Sequence, residues 1–408
     1  MSSINAQNIA PFLTWSADGS GVLSLQSNGT TAANVTASGI NMVGAVTMND
    51  GTQFNSANSL GMRNRIINGA MLVDQRSSGT LTNQGFPADR WQYATNVASK
   101  LSVAKNLNSI TPPQGFANCI GIQSSSSYSS GANEYFGLYQ PIEGLNLIDL
   151  ALGSATGSYI TVSFWTRSSL TGTFNIALSS QYGANATYSA TYTINNANTW
   201  EQKTITIPPT ALGTWAKDNT LGMMMWFDLG SGSTYQGTGN TWSTGYVLRA
   251  TGTQSIVGTN ASTFYVTGVQ LERGTVATPF EQRPYGTELA LCQRYYYKSY
   301  NQSTAPGTAS AQPTNTAWVV DTGALNRIFF VSGAKFAVAM RTAPSTVAYY
   351  SEDGTSNNVS VYNNSASKLA ISSTPTPTDG NLSEYLQLSS NATAGLPYVF
   401  SFTASAEL

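Results

Sequence analysis

The chain has 408 residues, with 18 Lys plus Arg against 19 Asp plus Glu, 2 Cys and no His. A net charge of -1 gives no basic footprint for nucleic acid or an anionic membrane. The lack of His removes Ser-His-Asp and Cys-His catalysis and the commonest transition-metal ligand, leaving carboxylate chemistry as the main enzymatic option.

The length suggests two or three domains with ample apolar material for cores. Cys119 and Cys292 lie too far apart for a zinc knuckle and are expected to be buried, reduced thiols. The opening "MSSINAQNIAPFLTW" lacks the basic and apolar stretches of an export signal. The strongest apolar run, "LGMMMWFDLG", is too short to span a bilayer and contains Asp228, so membrane insertion is not expected.

Residues 1–61 carry short β-prone pieces, "GVLSLQSNG", "ANVTASG" and "GAVTMNDG", each closed by a Gly or Asn turn signal. Each offers only a narrow apolar edge, which neighbouring copies would have to cover, so the segment is read as an elongated oligomeric stem or attachment segment. Residues 62–285 are β-rich. In "YITVSFWT", Ile160, Val162 and Phe164 point to one face and Thr161, Ser163 and Trp165 to the other. Strands of five to eight residues between Gly, Asn and Ser turns predict a central antiparallel jelly-roll β-sandwich. Within residues 286–301, Thr287 is a candidate N-cap with Glu288 in the first turn, which predicts a short linking helix. After a Pro, Ser and Thr-rich break, residues 302–408 predict a smaller C-terminal β-sandwich. The fold class is therefore all-β.

Three stretches carry a resemblance: "RNRIINGAMLVDQR" from Arg63, "FPADRW" from Phe86, and "VTGVQLERGTVATPFEQRPYGTELALCQRYY" from Val266. Together they resemble the body of tailed-bacteriophage tail fibre and receptor-binding proteins, whose central domain is similar to carbohydrate-binding modules of jelly-roll form. The resemblance implies a homotrimer in the virion tail, made in the host cytoplasm. Other tail or baseplate proteins would hold residues 1–61, and a bacterial surface polysaccharide or lipopolysaccharide would be bound without cleavage. The alternatives are a polysaccharide-degrading tailspike and a purely structural fibre.

The charged residues of the motifs read as a structural clasp of Arg63, Arg65, Asp74, Arg76, Glu272 and Arg283, with Asp74 near enough in sequence to pair with Arg76. Glycan contact by Arg63, Arg65 or Arg76 is the less favoured reading. Paired carboxylates for sugar cleavage would come from Glu134 with Glu143 or Asp149 with Asp228, though no acidic motif stands out. Neutral sugars are bound by flat rings bordered by amides and hydroxyls. Trp200, Trp215, Trp226, Trp242, Tyr135, Tyr139, Tyr182 and Tyr235 are the available platforms. Tyr235 and Trp242, in the Gly-rich stretch "GSGSTYQGTGNTW", are the first choice for an exposed contact surface, and Tyr349 and Tyr350 the second. No cofactor is expected. Structural calcium would draw on Asp218 and Asn219 or on Glu352 and Asp353.

Overall fold

The computed structural model describes residues 62–408 except 181–185, 310–314, 319–325, 331–334 and the single positions 363, 375, 383, 384, 391 and 394; before residue 62 it describes six strands. The chain divides into two compact units, Met1–Arg63 and Asn64–Leu408. In the first, β1 (Ser2–Ile4), β2 (Leu23–Ser27), β3 (Thr30–Thr36) and β4 (Gly39–Met42) form a sheet in that order, and β5 (Val46–Thr47) pairs with β6 (Gln53–Phe54). The narrow apolar edges expected for this segment lie outside the described residues.

The second unit begins with β7 (Gly85–Ala88), β8 (Trp91–Thr95), β9 (Leu101–Lys105), β10 (Ile120–Ser124), β11 (Phe136–Glu143), β12 (Ile160–Ser168) and β13 (Gly172–Ser179). It continues through β14 (Thr187–Ile194), β15 (Glu201–Ile207), β16 (Leu221–Asp228), the short β17 (Gln236–Gly237), β18 (Trp242–Ser243) and β19 (Arg249–Ala250), and β20 (Thr263–Arg273). A five-stranded antiparallel sheet, β15-β12-β20-β10-β9, faces a seven-stranded one, β18-β14-β13-β16-β11-β8-β7. Alternate residues of both sheets meet in one core: Ile160, Val162 and Phe164 from one side, Met223, Met225 and Phe227 from the other. Phe164 meets Phe227 edge-on at 5.1 Å between centroids.

The first motif lies along the last strand of this sandwich. Arg65 N donates to Leu271 O at 2.8 Å and Val269 N to Gly69 O at 3.0 Å. Any side chain at Gly69 would collide with the strand, since a Cβ there falls 2.2 Å from the Val269 carbonyl oxygen. Arg283 donates to the carbonyls of Asn64 and, at 3.1 Å, Ile66, while Glu281 accepts from Asn64 N at 2.8 Å. Glu272 accepts from Gln270 Nε2 and Thr278 N, both at 2.9 Å, and Arg65 pairs with Asp149 at 2.7 Å. Arg63 belongs to the first unit.

One expected pairing is corrected. Arg76 does not partner Asp74; its guanidinium sits between the rings of Phe86 and Tyr296, 4.0 and 3.7 Å from their centroids, and pairs with Glu407 at 2.9 Å and Asp89 at 3.4 Å. A largely buried guanidinium gains more from two rings and two carboxylates than from a carboxylate two residues away in the chain. Asp74 instead caps Ser77 N at 2.9 Å and lies 3.7 Å from Lys105 Nζ.

Helix α1 (Tyr285–Gln293) starts three residues earlier than expected, with Pro284 rather than Thr287 at the N-cap. Pro284, with its extended backbone, already supplies the turn, and its carbonyl accepts from both Thr287 N and Glu288 N. Glu288 reaches back to the Asn68 amide, which ties the helix to the first motif. After α1 come β21 (Tyr296–Lys298), β22 (Asn315–Trp318), β23 (Arg327–Phe330), β24 (Thr346–Tyr350), β25 (Asn358–Val361), β26 (Asn364–Ser373), β27 (Tyr385–Leu388) and β28 (Pro397–Ser405). Tyr398 and Val399 of β28 pair with both β22 and β25, so β28-β22-β23-β27-β26-β25 closes on itself around Phe400, Leu386 and Val359. The rest of β28 pairs with β21 and β24. Residues 286–301 therefore do more than link: they supply a strand to the last sheet.

Candidate functional site: an aromatic cleft on the seven-stranded sheet

Strand period decides which residues face away from the core. In β8, Trp91 and Tyr93 turn inward and Gln92 and Ala94 outward. In β11, Phe136, Leu138 and Ile142 turn inward and Tyr139 outward. In β16, Met223, Met225 and Phe227 turn inward and Met224 and Trp226 outward. Cross-strand register then aligns Gln92 with Tyr139, Tyr139 with Trp226 and Trp226 with Ala177 of β13, a single row across four strands.

This row forms the floor of a cleft of about 600 Å³, lined by Gln84, Gln92, Ala94, Tyr135, Tyr139, Met224, Trp226, Tyr235, Tyr246 and Leu248. The Tyr139 ring stacks on Trp226, with centroids 5.6 Å apart and planes at 24°. Gly137 makes room for the indole: a Cβ there would lie 2.0 Å from Trp226 Cε2. Tyr139 Oη donates to Gln92 Oε1 at 2.5 Å, which fixes that amide at the edge of the floor. Trp226 Nε1 is buried and meets no acceptor among the described residues. Half-buried tyrosines build the walls: Tyr135 stands edge-on to Trp226 at 6.2 Å and to Tyr235 at 5.9 Å, and Tyr235 lies 6.5 Å from Tyr246. None of the lining residues carries a charge.

The loop after β16 brings Tyr235 here by folding back over the sheet edge, with Thr234 N donating to Ala132 O at 3.0 Å and Asn240 N to Ser189 O at 2.7 Å. Trp242, expected beside Tyr235, is half-buried and does not line this cleft. Its Nε1 donates to Pro208 O at 2.8 Å and its ring packs edge-on to Tyr188 and Trp215, at 5.3 and 5.9 Å. Large apolar area is recovered by packing this ring on the sandwich core. Tyr349 is likewise not a surface ring. It is 4% exposed, and alternation along β24 turns it onto Phe400 while half-buried Tyr350 packs beside Tyr300 at 6.0 Å. Tyr182 lies outside the described residues.

Of the expected contact residues, then, Tyr235 alone lines this cleft. Trp226, Tyr139 and Tyr135 were among the available platforms, whereas Tyr246, Met224, Leu248, Gln84 and Gln92 carried no signal of their own. The sequence did contain one usable sign. "LGMMMWFD" is apolar at nearly every position rather than at every second one, so both faces of β16 must be covered, one by the core and one by the cleft.

The acidic residues considered for catalysis lie apart from the cleft lining. Glu143, 1% exposed, accepts from Arg294 Nη2 and Tyr295 Oη, each at 2.6 Å. Asp228 is buried beside Arg249 at 3.7 Å, and burial pushes its carboxyl above the usual range. Glu134 accepts from Tyr128 Oη at 3.0 Å. For calcium, Asp218 is bonded to Thr220, and the Lys368 ammonium 2.5 Å from Asp353 holds that carboxyl well below its ordinary range. Among the described residues, no three acidic or Cys side chains converge as metal ligands.

No family model matches the chain, and no curated protein matches it. Among solved structures it is similar to the arabinose-bound α-L-arabinofuranosidase MgGH51, with 13% identity over 56% of this chain and 27% of that one, at a TM-score of 0.28. It is similar to the enzymatically active domain of bacteriophage CBA120 tailspike protein 4, with 12% identity over 52% of this chain and 21% of that one, at 0.27. It is also similar to TmCBM61 in complex with β-1,4-galactotriose, with 14% identity over 52% of this chain and 99% of that one, at 0.25. The chain thus spans about a quarter of the first two. Likeness at these scores carries no argument, and function rests on the chemistry of the cleft.

Proposed function

We propose that this chain is a non-catalytic glycan-binding protein that attaches a phage tail fibre to a bacterial surface polysaccharide or lipopolysaccharide. The observation that carries the binding reading is the charge-free row of Gln92, Tyr139 and Trp226 walled by Tyr135, Tyr235 and Tyr246. A sugar ring presents CH groups on its faces and hydroxyls at its edge. Stacked rings cover the first, and the amides of Gln84 and Gln92 meet the second. The fibre context and a homotrimeric assembly rest on the resemblance of the three sequence stretches.

Binding without cleavage is supported by the lining, which contains no carboxylate, whereas glycoside hydrolysis ordinarily needs two flanking the bond. The test is incubation of the purified protein with surface polysaccharide from host and non-host strains, scoring both retention and polymer length. Retention of host polymer at unchanged length is expected. New reducing ends and shortened chains would establish a depolymerase, and assembly with no retention a structural fibre.

A further inference from the structure

The parallel ribbon of β17 and β19 has two chemically different sides. Tyr235 and Leu248, next to the ribbon, line the aromatic cleft, whereas Gln236 and Arg249, paired across it, line a second cavity of about 400 Å³. Hydroxyls dominate there, with serines contributed from 127–130, 231–233 and 255, and Arg249 is the one charged residue of the lining.

Arg249 is held without being exhausted. It donates to Ser231 O at 3.1 Å, Thr253 O at 2.6 Å and Thr253 Oγ1 at 3.3 Å, which leaves further N–H groups of its five. Asp228, 3.7 Å away, is 1% exposed and already accepts from Gly230 N and Ser231 N, so it sits behind the guanidinium rather than in the cavity. The serines sort by their bonds. Ser127 and Ser130 spend their protons on Gly258 O and Gly230 O, at 2.7 and 2.6 Å, and keep lone pairs for incoming hydroxyls. Ser255 accepts from Gly258 N at 3.1 Å and keeps its proton to donate.

We propose that this cavity is a subsite for an acidic sugar residue of the uronate class, its carboxylate on Arg249 and Ser255 and its ring hydroxyls on Ser127 and Ser130. The proposal rests on reading the neighbouring cleft as a glycan site and specifies which glycans it serves: polymers that alternate neutral and carboxylate-bearing residues. A hydrophilic cavity with a fixed, half-buried cation suits a carboxylate because the hydrogen bonds are charge-assisted and only partly screened.

The test is NMR titration of the full chain with sodium glucuronate and sodium galacturonate, beside glucose and galactose, following the Arg249 side-chain N–H signal. The uronates should shift that signal and bind about tenfold or more tightly than the neutral sugars, the worth of one hydrogen bond to a charged group. Arg249→Gln should abolish the preference. Because Arg249 also holds its loop, Ser129→Phe is the second variant; it fills the cavity from an exposed position and should have the same effect. An unmoved Arg249 signal, or a preference that survives both variants, overturns the proposal. A Tyr135→Ala/Tyr235→Ala double variant separates the two readings. If it keeps the uronate signal but the parent never bound neutral oligosaccharides, the cleft reading fails alone. If the parent binds neutral oligosaccharides through those tyrosines with no uronate preference, the subsite fails alone.

Discussion

Gly137 and Trp226 show how much of the cleft depends on single positions. The indole lies over a strand position with no side chain, so Gly137→Ala must displace it. We expect this variant to lose glycan binding while keeping the sandwich, a result readable as a shifted tryptophan fluorescence spectrum with unchanged far-UV circular dichroism. Tyr135 and Tyr235 are half-buried walls. Replacing either by Ala should weaken binding by about 0.5–1.5 kcal/mol, a few-fold to tenfold, with little effect on melting. Trp242→Ala should do the reverse, because its ring fills space against Tyr188 and Trp215. If Trp242→Ala impaired binding at unchanged stability, the division between cleft and core would be wrong. The two thiols supply an independent check on burial. Burial pushes Cys119 up to about 11 and Cys292 well above its ordinary value, so thiolate is scarce in the folded state at pH 8. Both should react with a thiol reagent only after unfolding; fast labelling of native protein at pH 8 would contradict their placement.

Strands and helices were more legible than the way they fasten together. Ile160, Val162 and Phe164 alternate as expected because one face of β12 meets the core, and α1 follows the sandwich with Glu288 in its first turn as expected. Tyr349 and Trp242 were harder to place, since a turn-rich flank marks a loop end without showing which side of the adjoining strand is covered. Contacts between distant segments, such as Arg76 with Glu407, carry no local signal at all. Glu143 closes the strand that bears Gly137 and Tyr139. Arg294→Ala removes its ion-pair partner and leaves a carboxylate that is 1% exposed with the Tyr295 hydroxyl. Because Arg294 is itself 31% exposed, we expect about 3 kcal/mol of destabilisation in urea unfolding, the lower end for breaking a buried pair. The double replacement Glu143→Gln/Arg294→Met should recover part of it. Loss under 1 kcal/mol for the single variant would show that the pair does not anchor the strand.

For the whole molecule, an all-β chain with few charges follows from composition and from regularly spaced turns, and the two antiparallel sheets around one core are what that pattern produces. The closure of the last strands through β28 was not legible, because one strand pairing on both sides looks like any other apolar strand in sequence. A trimer would present three clefts to a repeating polymer, and simultaneous engagement raises avidity by roughly 10²-fold or more without new contacts. Light scattering should therefore give three times the chain mass of 43.2 kDa, and a monomer at micromolar concentration would remove this multivalency. Recognition by rings and amides should also survive high salt, in contrast to attraction by a basic patch, which is screened within about 8 Å at physiological ionic strength. Affinity electrophoresis of the parent and the Tyr135→Ala/Tyr235→Ala variant, through gels containing host surface polysaccharide, decides whether the aromatic cleft binds the glycan. The parent should be retarded at low and high salt alike, and the variant, with unchanged melting temperature, should be retarded markedly less. Equal retardation of both proteins would contradict binding by the cleft.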